Sequence, residues 1–250
     1  KAVQVQRAGN GFRVKALAIA EIRRPEFHTE EGAADPVEST RRALDRIAET
    51  RALAGGQCAG STSGSKVAAR MFSFPKMDDR DVAAAVRIEA EQVIPFDLGD
   101  AVVDFVRFPD RKEDGATLTE GIVVASQRED IDKKYNLLRS KGYDPVIFDI
   151  DSLAVANAYA ATHDIVPNEA VAIVNIGART SNLAILVGDD RVFVRDIASG
   201  GDLVSRAISE LYGLDLGTAE TQKRELKYDA ASEGGVSTAA KAKVPAARRG

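Results

Sequence analysis

One turn in the second half of the sequence carries the residue types that phosphate binding requires. Ile176 to Ser181 joins two apolar segments and contains Gly177, followed by Thr180 and Ser181. Glycine lets the backbone approach another group closely, successive N–H groups of such a turn can face one concavity, and hydroxyls add donors. The turn is therefore a candidate phosphate site. A simple hairpin turn with hydroxyls in solvent explains the same residues, because short Gly/Thr motifs are common.

Two further features strengthen the phosphate hypothesis. Gly200-Gly201 follows an apolar segment and opens a predicted helix, and helix N-termini attract anions. Glu220 and Lys223 are three residues apart and share one face of another predicted helix. This pair is suited to holding ribose hydroxyls. Its alternative interpretation is an exposed salt bridge within the helix.

Composition excludes several other functions. The net charge of −4 argues against a nucleic-acid binder, and a single cysteine, Cys58, excludes an internal disulfide. His28 and His163 are far apart in sequence and lack the spacing of metal ligands, so we interpret both histidines and Cys58 as structural or surface residues. No apolar run approaches the roughly 18 residues that span a bilayer. We therefore expect a cytosolic protein with no direct membrane insertion, which reaches a membrane only through a partner.

Alternating and helical hydrophobic patterns predict the elements that precede the turn. A hairpin at the start is followed by a helix from Pro36 to Leu53. The first half then combines strands with amphipathic helices, of which one carries Val82, Val86, Ala90 and Val93 along one face. Asp110 to Gly115 is predicted to be a charged surface turn. The predicted strands are 1–6, 12–19, 57–63, 67–74, 102–108, 118–126 and 145–150, and the later helices are 130–141 and 151–161, the last capped by Asp151.

The candidate turn lies within three closely spaced strands. Ala170–Asn175, Ser181–Val187 and Arg191–Ile197 are predicted to form a meander joined by tight turns. Helices from Asp202 to Leu211 and from Thr218 to Leu226 follow. Residues 229–250 are rich in Ala, Ser, Gly and Lys and are predicted to be a flexible tail or loop.

Several motifs together resemble a known family. The order of strand, turn, two strands, Gly-Gly, helix and AExxK is similar to the second phosphate-binding region of the actin-like ATPase superfamily. The combination of EAEQVIPFDL with IGARTSNL is more specific and resembles PilM, the family of actin-like type IV pilus assembly proteins. The matching segments are FSFPKM (72–77), RIEAEQVIPFDLGD (87–100), GIVVAS (121–126), DIDSLAVANAY (149–159), NIGARTSNLAI (175–185), RVFVRDIASGG (191–201) and GLDLGTAETQK (213–223).

This resemblance implies an α/β, two-lobed, actin-like (ribonuclease H-like) fold with the nucleotide between the lobes. Residues 1–65 and 142–166 would form the core subdomain of the first lobe, and 66–141 an inserted subdomain. Residues 167–228 would form an incomplete core subdomain of the second lobe, followed by the tail. Lys1 matches the lysine that ends the first phosphate loop of the family. We therefore expect a partial chain that lacks the rest of this loop and the last subdomain.

The resemblance also implies a nucleotide site for ATP with Mg²⁺. Asn175 stands where related ATPases usually carry an aspartate that helps hold metal-bound water, and a neutral amide is a poorer partner for a divalent cation. We therefore expect ATP binding rather than efficient hydrolysis. Arg179 either offers charge to phosphate or lies in solvent. The expected cofactor-binding residues are Lys1, Asn175, Gly177, Ala178, Arg179, Thr180, Ser181, Gly200, Gly201, Glu220 and Lys223.

The family implies a scaffold that is cytoplasmic and peripheral to the inner membrane. Its partner would be the cytosolic N-terminal segment of an inner-membrane pilus assembly protein, with the assembly motor ATPase as a further candidate. The edge at 66–74 is one guess for the docking site, and 94–100 is either part of it or a helix-terminating loop. The alternatives are an active ATPase or phosphotransferase using Asp149 or Asp151, a type II secretion platform protein, and a cell-division actin homologue.

Overall fold

The computed structural model of the 250-residue chain describes residues 1–9, 11–22, 24, 27, 36–49, 53, 55–166, 169–188 and 191–226. The described strands are β1 (Ala2–Ala8), β2 (Gly11–Ala18), β3 (Gly56–Thr62), β4 (Val67–Pro75), β5 (Ala101–Arg107), β6 (Arg111–Glu113), β7 (Ala116–Gln127), β8 (Tyr143–Ile150), β9 (Ala170–Ile176), β10 (Ser181–Val187) and β11 (Arg191–Ile197). The described helices are α1 (Pro36–Glu49), α2 (Asp79–Val93), α3 (Arg128–Ser140), α4 (Asp151–Ala160), α5 (Gly201–Tyr212) and α6 (Leu216–Glu225). The predicted tail, 229–250, and His28 lie outside the described residues.

The described strands form four small sheets. β1 and β2 pair antiparallel as a hairpin, whereas β3 and β8 pair in parallel. β7 is the central strand of an antiparallel sheet in the order β4-β7-β5, with β6 also paired to β7. The three strands around the candidate turn form the predicted meander, in the order β11-β10-β9.

The sheet of β4, β7 and β5 buries both of its faces around β7. Alternate residues of a strand point to opposite faces, so Val123 and Ala125 face α2 whereas Ile122 faces the other side. The predicted apolar face of α2 is confirmed, because Val82 and Val86 are almost fully buried in the same cluster. The whole cluster consists of Ala68, Phe72, Val82, Val86, Ala90, Ile94, Val123 and Ala125.

A second core joins this sheet to the sheet that carries the candidate turn. Its buried members come from β7, β8, α4, β10, β11 and the residue that follows β5, and thus from all three predicted subdomains. A buried carboxylate reinforces the junction, since Glu120 of β7 lies 3.0 Å from both the Arg111 and the Arg191 guanidinium groups. The second core consists of Phe108, Ile122, Ile150, Ala156, Ala184, Leu186 and Val194.

Two local predictions are wrong. The predicted surface turn from Asp110 to Gly115 contains β6, and the turn itself is confined to Asp114 and Gly115, whose φ angles are 50° and 83°. Asp151 was predicted to cap α4, but the N-cap residue is Ile150 and no side chain makes the capping hydrogen bond. Asp149 instead accepts a hydrogen bond from the Ile150 amide, because its side chain can reach the next backbone N–H.

Candidate functional site

The candidate turn between β9 and β10 closes on itself. The Gly177 amide donates to the Thr180 carbonyl over 3.1 Å, and Ile176 pairs with Ser181 in the strand register. A Cβ at position 177 would lie 2.6 Å from the Thr180 carbonyl oxygen. Only glycine fits this turn without a backbone shift, so Gly177 serves the close approach that the sequence suggested.

The turn is tied to the first residues of α5. The amides of Gly201 and Asp202 donate to the carbonyls of Gly177 and Ala178 over 3.0 Å and 2.8 Å. A Cβ at position 200 would lie 2.5 Å from both carbonyl oxygens. Gly200 is therefore required for the contact between the two backbones.

These hydrogen bonds correct part of the phosphate hypothesis. We expected the amides of Gly177 and of the Gly200-Gly201 helix start to face an anion. The amides of Gly177 and Gly201 are instead paired with carbonyls of the protein. The hydroxyl of Ser181 also donates within the protein, to the Ser199 carbonyl over 2.6 Å. Charge for a phosphate group must therefore come mainly from side chains around the turn.

The predicted pair on α6 lies against the start of α5. Lys223 donates to Glu220 over 2.5 Å and to the Gly201 carbonyl over 3.1 Å, and Ser205 donates to the same Glu220 oxygen over 2.6 Å. Both side chains are largely buried, which is unlike an exposed salt bridge. The structure thus brings the turn, the start of α5 and the pair Glu220–Lys223 together.

The Glu220 carboxylate is held in its charged form. Burial would raise its pKa, but hydrogen bonds from Lys223, Ser205 and Arg224 outweigh burial and lower the pKa to about 2. Arg224, which the sequence analysis did not single out, also lies 3.5 Å from Glu21. A fixed carboxylate beside a fixed ammonium group offers both an acceptor and a donor to a sugar hydroxyl.

A buried ion pair beside the turn was missed by the sequence analysis. Asp202, in the first turn of α5, binds the Arg24 guanidinium through both carboxylate oxygens, with one contact of 2.9 Å. The Nε atom of Arg179 lies 3.8 Å from the same carboxylate. Arg179 therefore has a carboxylate neighbour although its side chain is largely exposed. The sequence contains no local signal for this pair, because 178 positions separate Arg24 and Asp202.

Asn175 belongs to a chain of polar side chains across the sheet. Its amide nitrogen donates to the Asn182 oxygen over 3.1 Å, and the Asn182 nitrogen donates to Asp196 over 2.8 Å. Asp196 also accepts from the Gly64 amide over 2.7 Å, which connects β11 to the loop after β3. In the sequence, the feature that indicates this chain of polar side chains is Asn182, a polar residue at a buried position of an otherwise apolar strand. Thr180 is close to this loop, with its hydroxyl 3.5 Å from the Cβ position of Gly64.

The remaining predicted residues lie apart from this cluster. Lys1 is exposed before β1, and no described hydrogen bond or ion pair joins it to the turn. Asp149 accepts from the Ile150 amide and, at 3.4 Å, from Asn157. The described residues contain no group of three or more His, Cys, Asp or Glu side chains that could hold a metal ion. His163 stacks on the Tyr159 ring at 4.3 Å, and burial raises the pKa of the Cys58 thiol.

Two neighbouring grooves lie on the predicted inserted subdomain and share Arg128. The first, about 430 Å³, lies between α2 and β5 and is lined by Val86, Arg87 and Phe105 among others. The second, about 660 Å³, lies between the segment 96–100 and the first turns of α3. α2 ends at Val93 with Ile94 as its C-cap, and the segment 96–100 that follows contains a short 3-10 helix, Leu98–Asp100, and forms a wall of the groove.

None of the helices within the described ranges is long and apolar enough to cross a membrane.

Comparison with known proteins identifies relatives. The family model of the type IV pilus assembly protein PilM matches residues 1–237. Among solved structures, the PilM-PilN type IV pilus biogenesis complex is similar, with 28% identity, a TM-score of 0.68, and coverage of 89% of this chain and 65% of that chain. The chain thus spans just under two thirds of that relative's length.

Two weaker similarities accompany this match. The cytoplasmic domain of EpsL, an inner membrane component of the Vibrio cholerae type II secretion system, has 15% identity and a TM-score of 0.42, with coverage of 70% of this chain and 61% of that chain. A Bacteroides thetaiotaomicron protein with an actin-like ATPase fold and unknown function has 8% identity and a TM-score of 0.41, with coverage of 84% and 74%.

Proposed function

The chain belongs to the PilM family of type IV pilus assembly proteins, and from this premise we propose that it is a nucleotide-binding scaffold of the pilus inner-membrane platform. The proposal is supported mainly by one observation: the candidate turn, the start of α5 and the pair Glu220–Lys223 lie in contact with one another. A turn held by backbone hydrogen bonds loses little conformational entropy when a ligand binds, which favours affinity.

The ligand of this site is ATP with Mg²⁺. Thr180 and Arg179 would contact phosphate oxygens, whereas Glu220 and Lys223 would contact the ribose. The fit rests on the pair Glu220–Lys223, which fixes an acceptor and a donor beside the start of α5. Mg²⁺ binds mainly to phosphate oxygens and water, so a cage of three carboxylates is not required.

The nucleotide serves regulation more than turnover. Asn175 is neutral, and an amide oxygen holds a metal-bound water less well than a carboxylate does. When bound, Mg²⁺ would supply charge compensation for the phosphates. The residues of this chain would bind and orient the nucleotide, and binding would bias the protein toward one arrangement of its subdomains.

The partner is the cytosolic N-terminal segment of an inner-membrane pilus assembly protein. This proposal is supported by the family and by the similarity to PilM in a complex with PilN. The docking surface is the pair of grooves at Arg128. The first groove combines apolar walls with Arg87 and Arg128, which suits an extended peptide that carries apolar anchors and a carboxylate. Through this partner the protein would be cytoplasmic and peripheral to the inner membrane, and the motor ATPase is a further candidate partner.

Two matched pairs of variants test both activities in the complete protein. Calorimetric titration with ATP and Mg²⁺ should show that Lys223→Ala loses binding whereas Lys133→Ala retains it. Lys133 forms a comparable helical ion pair with Glu129, but on an exposed surface. Titration with the partner segment should show that Arg128→Ala loses binding of the segment. Arg139→Ala and Lys223→Ala should retain binding of the segment. Absence of ATP binding by the unmodified complete protein would overturn the nucleotide proposal.

A further inference from the structure

The Asp202 carboxylate beside the phosphate turn binds arginines from two different parts of the chain. Asp202 is 8% exposed and engages Arg24 through both oxygens, and Arg179 of the turn approaches one of these oxygens at 3.8 Å. Arg24 follows β2 in the first predicted lobe, whereas Asp202 and Arg179 belong to the second. The ion pair therefore joins the two lobes at the proposed nucleotide site.

The location of Asp202 places its arginine partners next to the turn. The Asp202 amide donates to the Ala178 carbonyl over 2.8 Å, so the residue that carries the carboxylate is in direct contact with the backbone of the turn. The amides of Gly177 and Gly201 are paired within the protein and are not available to an anion. The guanidinium groups of Arg24 and Arg179 are then a source of positive charge beside the turn.

Arg24 is fixed in position before any ligand binds. Its guanidinium group lies 4.2 Å from the centre of the Phe27 ring, and Phe27 is 4% exposed. The Phe27 carbonyl packs on Gly217 at the start of α6, where a Cβ would lie 2.9 Å from the oxygen. Stacking on an aromatic face and a bidentate contact hold a guanidinium fork rigidly, so little entropy is lost when it binds another anion.

We propose that Arg24 is a phosphate-binding residue of the nucleotide site, and that Asp202 holds it until a phosphate group takes it over. This inference rests on the proposed function, since it assigns a further residue to the same site. A guanidinium fork binds carboxylate and phosphate in the same bidentate geometry, so the two anions compete for it. A nucleotide would then replace the contact from Arg24 to Asp202 by a contact from Arg24 to phosphate, and Arg24 would connect the first lobe to the ligand.

A purely structural ion pair makes a different prediction. If Arg24 and Asp202 only stabilise the fold, removal of either residue should affect ATP binding in the same direction. If phosphate and the Asp202 carboxylate compete for Arg24, removal of Arg24 and removal of Asp202 have opposite effects on ATP binding. Arg24 binds the phosphate, whereas Asp202 holds Arg24 away from it. Arg24→Gln should weaken ATP binding by about tenfold to a hundredfold, the effect of one charge-assisted hydrogen bond. Asp202→Asn should strengthen it by roughly twofold to fivefold.

The experiment is calorimetric titration of the complete protein with ATP and Mg²⁺, using unmodified protein, Arg24→Gln, Arg24→Lys and Asp202→Asn. Arg139→Gln is the control, because Arg139 forms an exposed ion pair with Asp144 at 2.7 Å away from the turn. Arg24→Lys keeps the charge but loses the fork, so its affinity should lie between those of the unmodified protein and Arg24→Gln. Circular dichroism confirms that each variant is folded.

The outcomes separate the inference from the function on which it rests. Opposite shifts in Arg24→Gln and Asp202→Asn, with Arg139→Gln unchanged, support the assignment of Arg24. Weaker binding in both variants, or unchanged binding in Arg24→Gln, overturns it while the nucleotide function stands. Failure of the unmodified protein to bind ATP overturns both.

Discussion

Replacement of Gly200 by alanine tests how the candidate turn between β9 and β10 is held. The new Cβ would lie 2.5 Å from the carbonyl oxygens of Gly177 and Ala178, whereas real Cβ contacts are essentially never shorter than 3.0 Å. The two carbonyls must therefore retreat, which lengthens the hydrogen bonds of 3.0 Å and 2.8 Å that they accept from Gly201 and Asp202. Loss of both bonds costs about 1–3 kcal/mol, at about 0.5–1.5 kcal/mol each.

Two assays measure this effect. Urea unfolding should show a free energy of unfolding about 1–3 kcal/mol lower for Gly200→Ala. Titration of the complete protein with ATP and Mg²⁺ should show affinity reduced about tenfold or more, because the turn and α5 are no longer in register. Gly11→Ala is the matched control, since a Cβ at position 11 has no atom within 4 Å. Unchanged stability and unchanged ATP affinity in Gly200→Ala would refute the argument that this contact builds the site.

Three further substitutions test the site and the core. Glu220→Gln should destabilise the protein at pH 7. The difference in urea midpoint between the variant and the unmodified protein should vanish as the pH falls from 4.5 to about 2. The reason is that a carboxylate with a depressed pKa contributes stability only while it is ionised. A difference that persists at pH 2 would contradict this. Ile122→Ala should lower the free energy of unfolding, measured in urea, by about 2–4 kcal/mol, because Ile122 is buried. Ile88→Ala should lower it by less than about 0.5 kcal/mol, because Ile88 is exposed. Equal losses in the two variants would contradict the assigned core. Asn175→Asp should lower the free energy of unfolding by about 1–2 kcal/mol, since a carboxylate cannot donate to the Asn182 oxygen, and a more stable variant would contradict that hydrogen bond.

Short-range periodicity predicted the elements that carry the site. The bounds of β10 and β11 agree with the prediction, because each is a compact run of alternating or buried apolar residues between turn residues. The buried face of α2 followed from helical spacing in the same way. The family prediction is confirmed by the match over residues 1–237, and the predicted α/β class agrees with the described strands and helices.

Long-range pairings could not be predicted from the sequence. The pairing of the Gly201 amide with the Gly177 carbonyl, and of Arg24 with Asp202, depends on how α5 and the segment after β2 pack on the meander. No periodicity encodes such contacts, so glycines that appeared to free amides for a ligand proved to serve backbone packing. Asp151 shows a similar limit over a short range. An aspartate at the start of a helix is a common N-cap, but the N-cap residue of α4 is Ile150 and no side chain makes the capping hydrogen bond. The assignment of the site residues and the subdomain boundaries stay predictions.

A crystal structure of the complete protein with a non-hydrolysable ATP analogue and Mg²⁺ tests the central claim most directly. The phosphate groups should lie beside Thr180 and Arg179, and the ribose should contact Glu220 and Lys223. A nucleotide bound at another surface, with the turn still facing only α5, would contradict it.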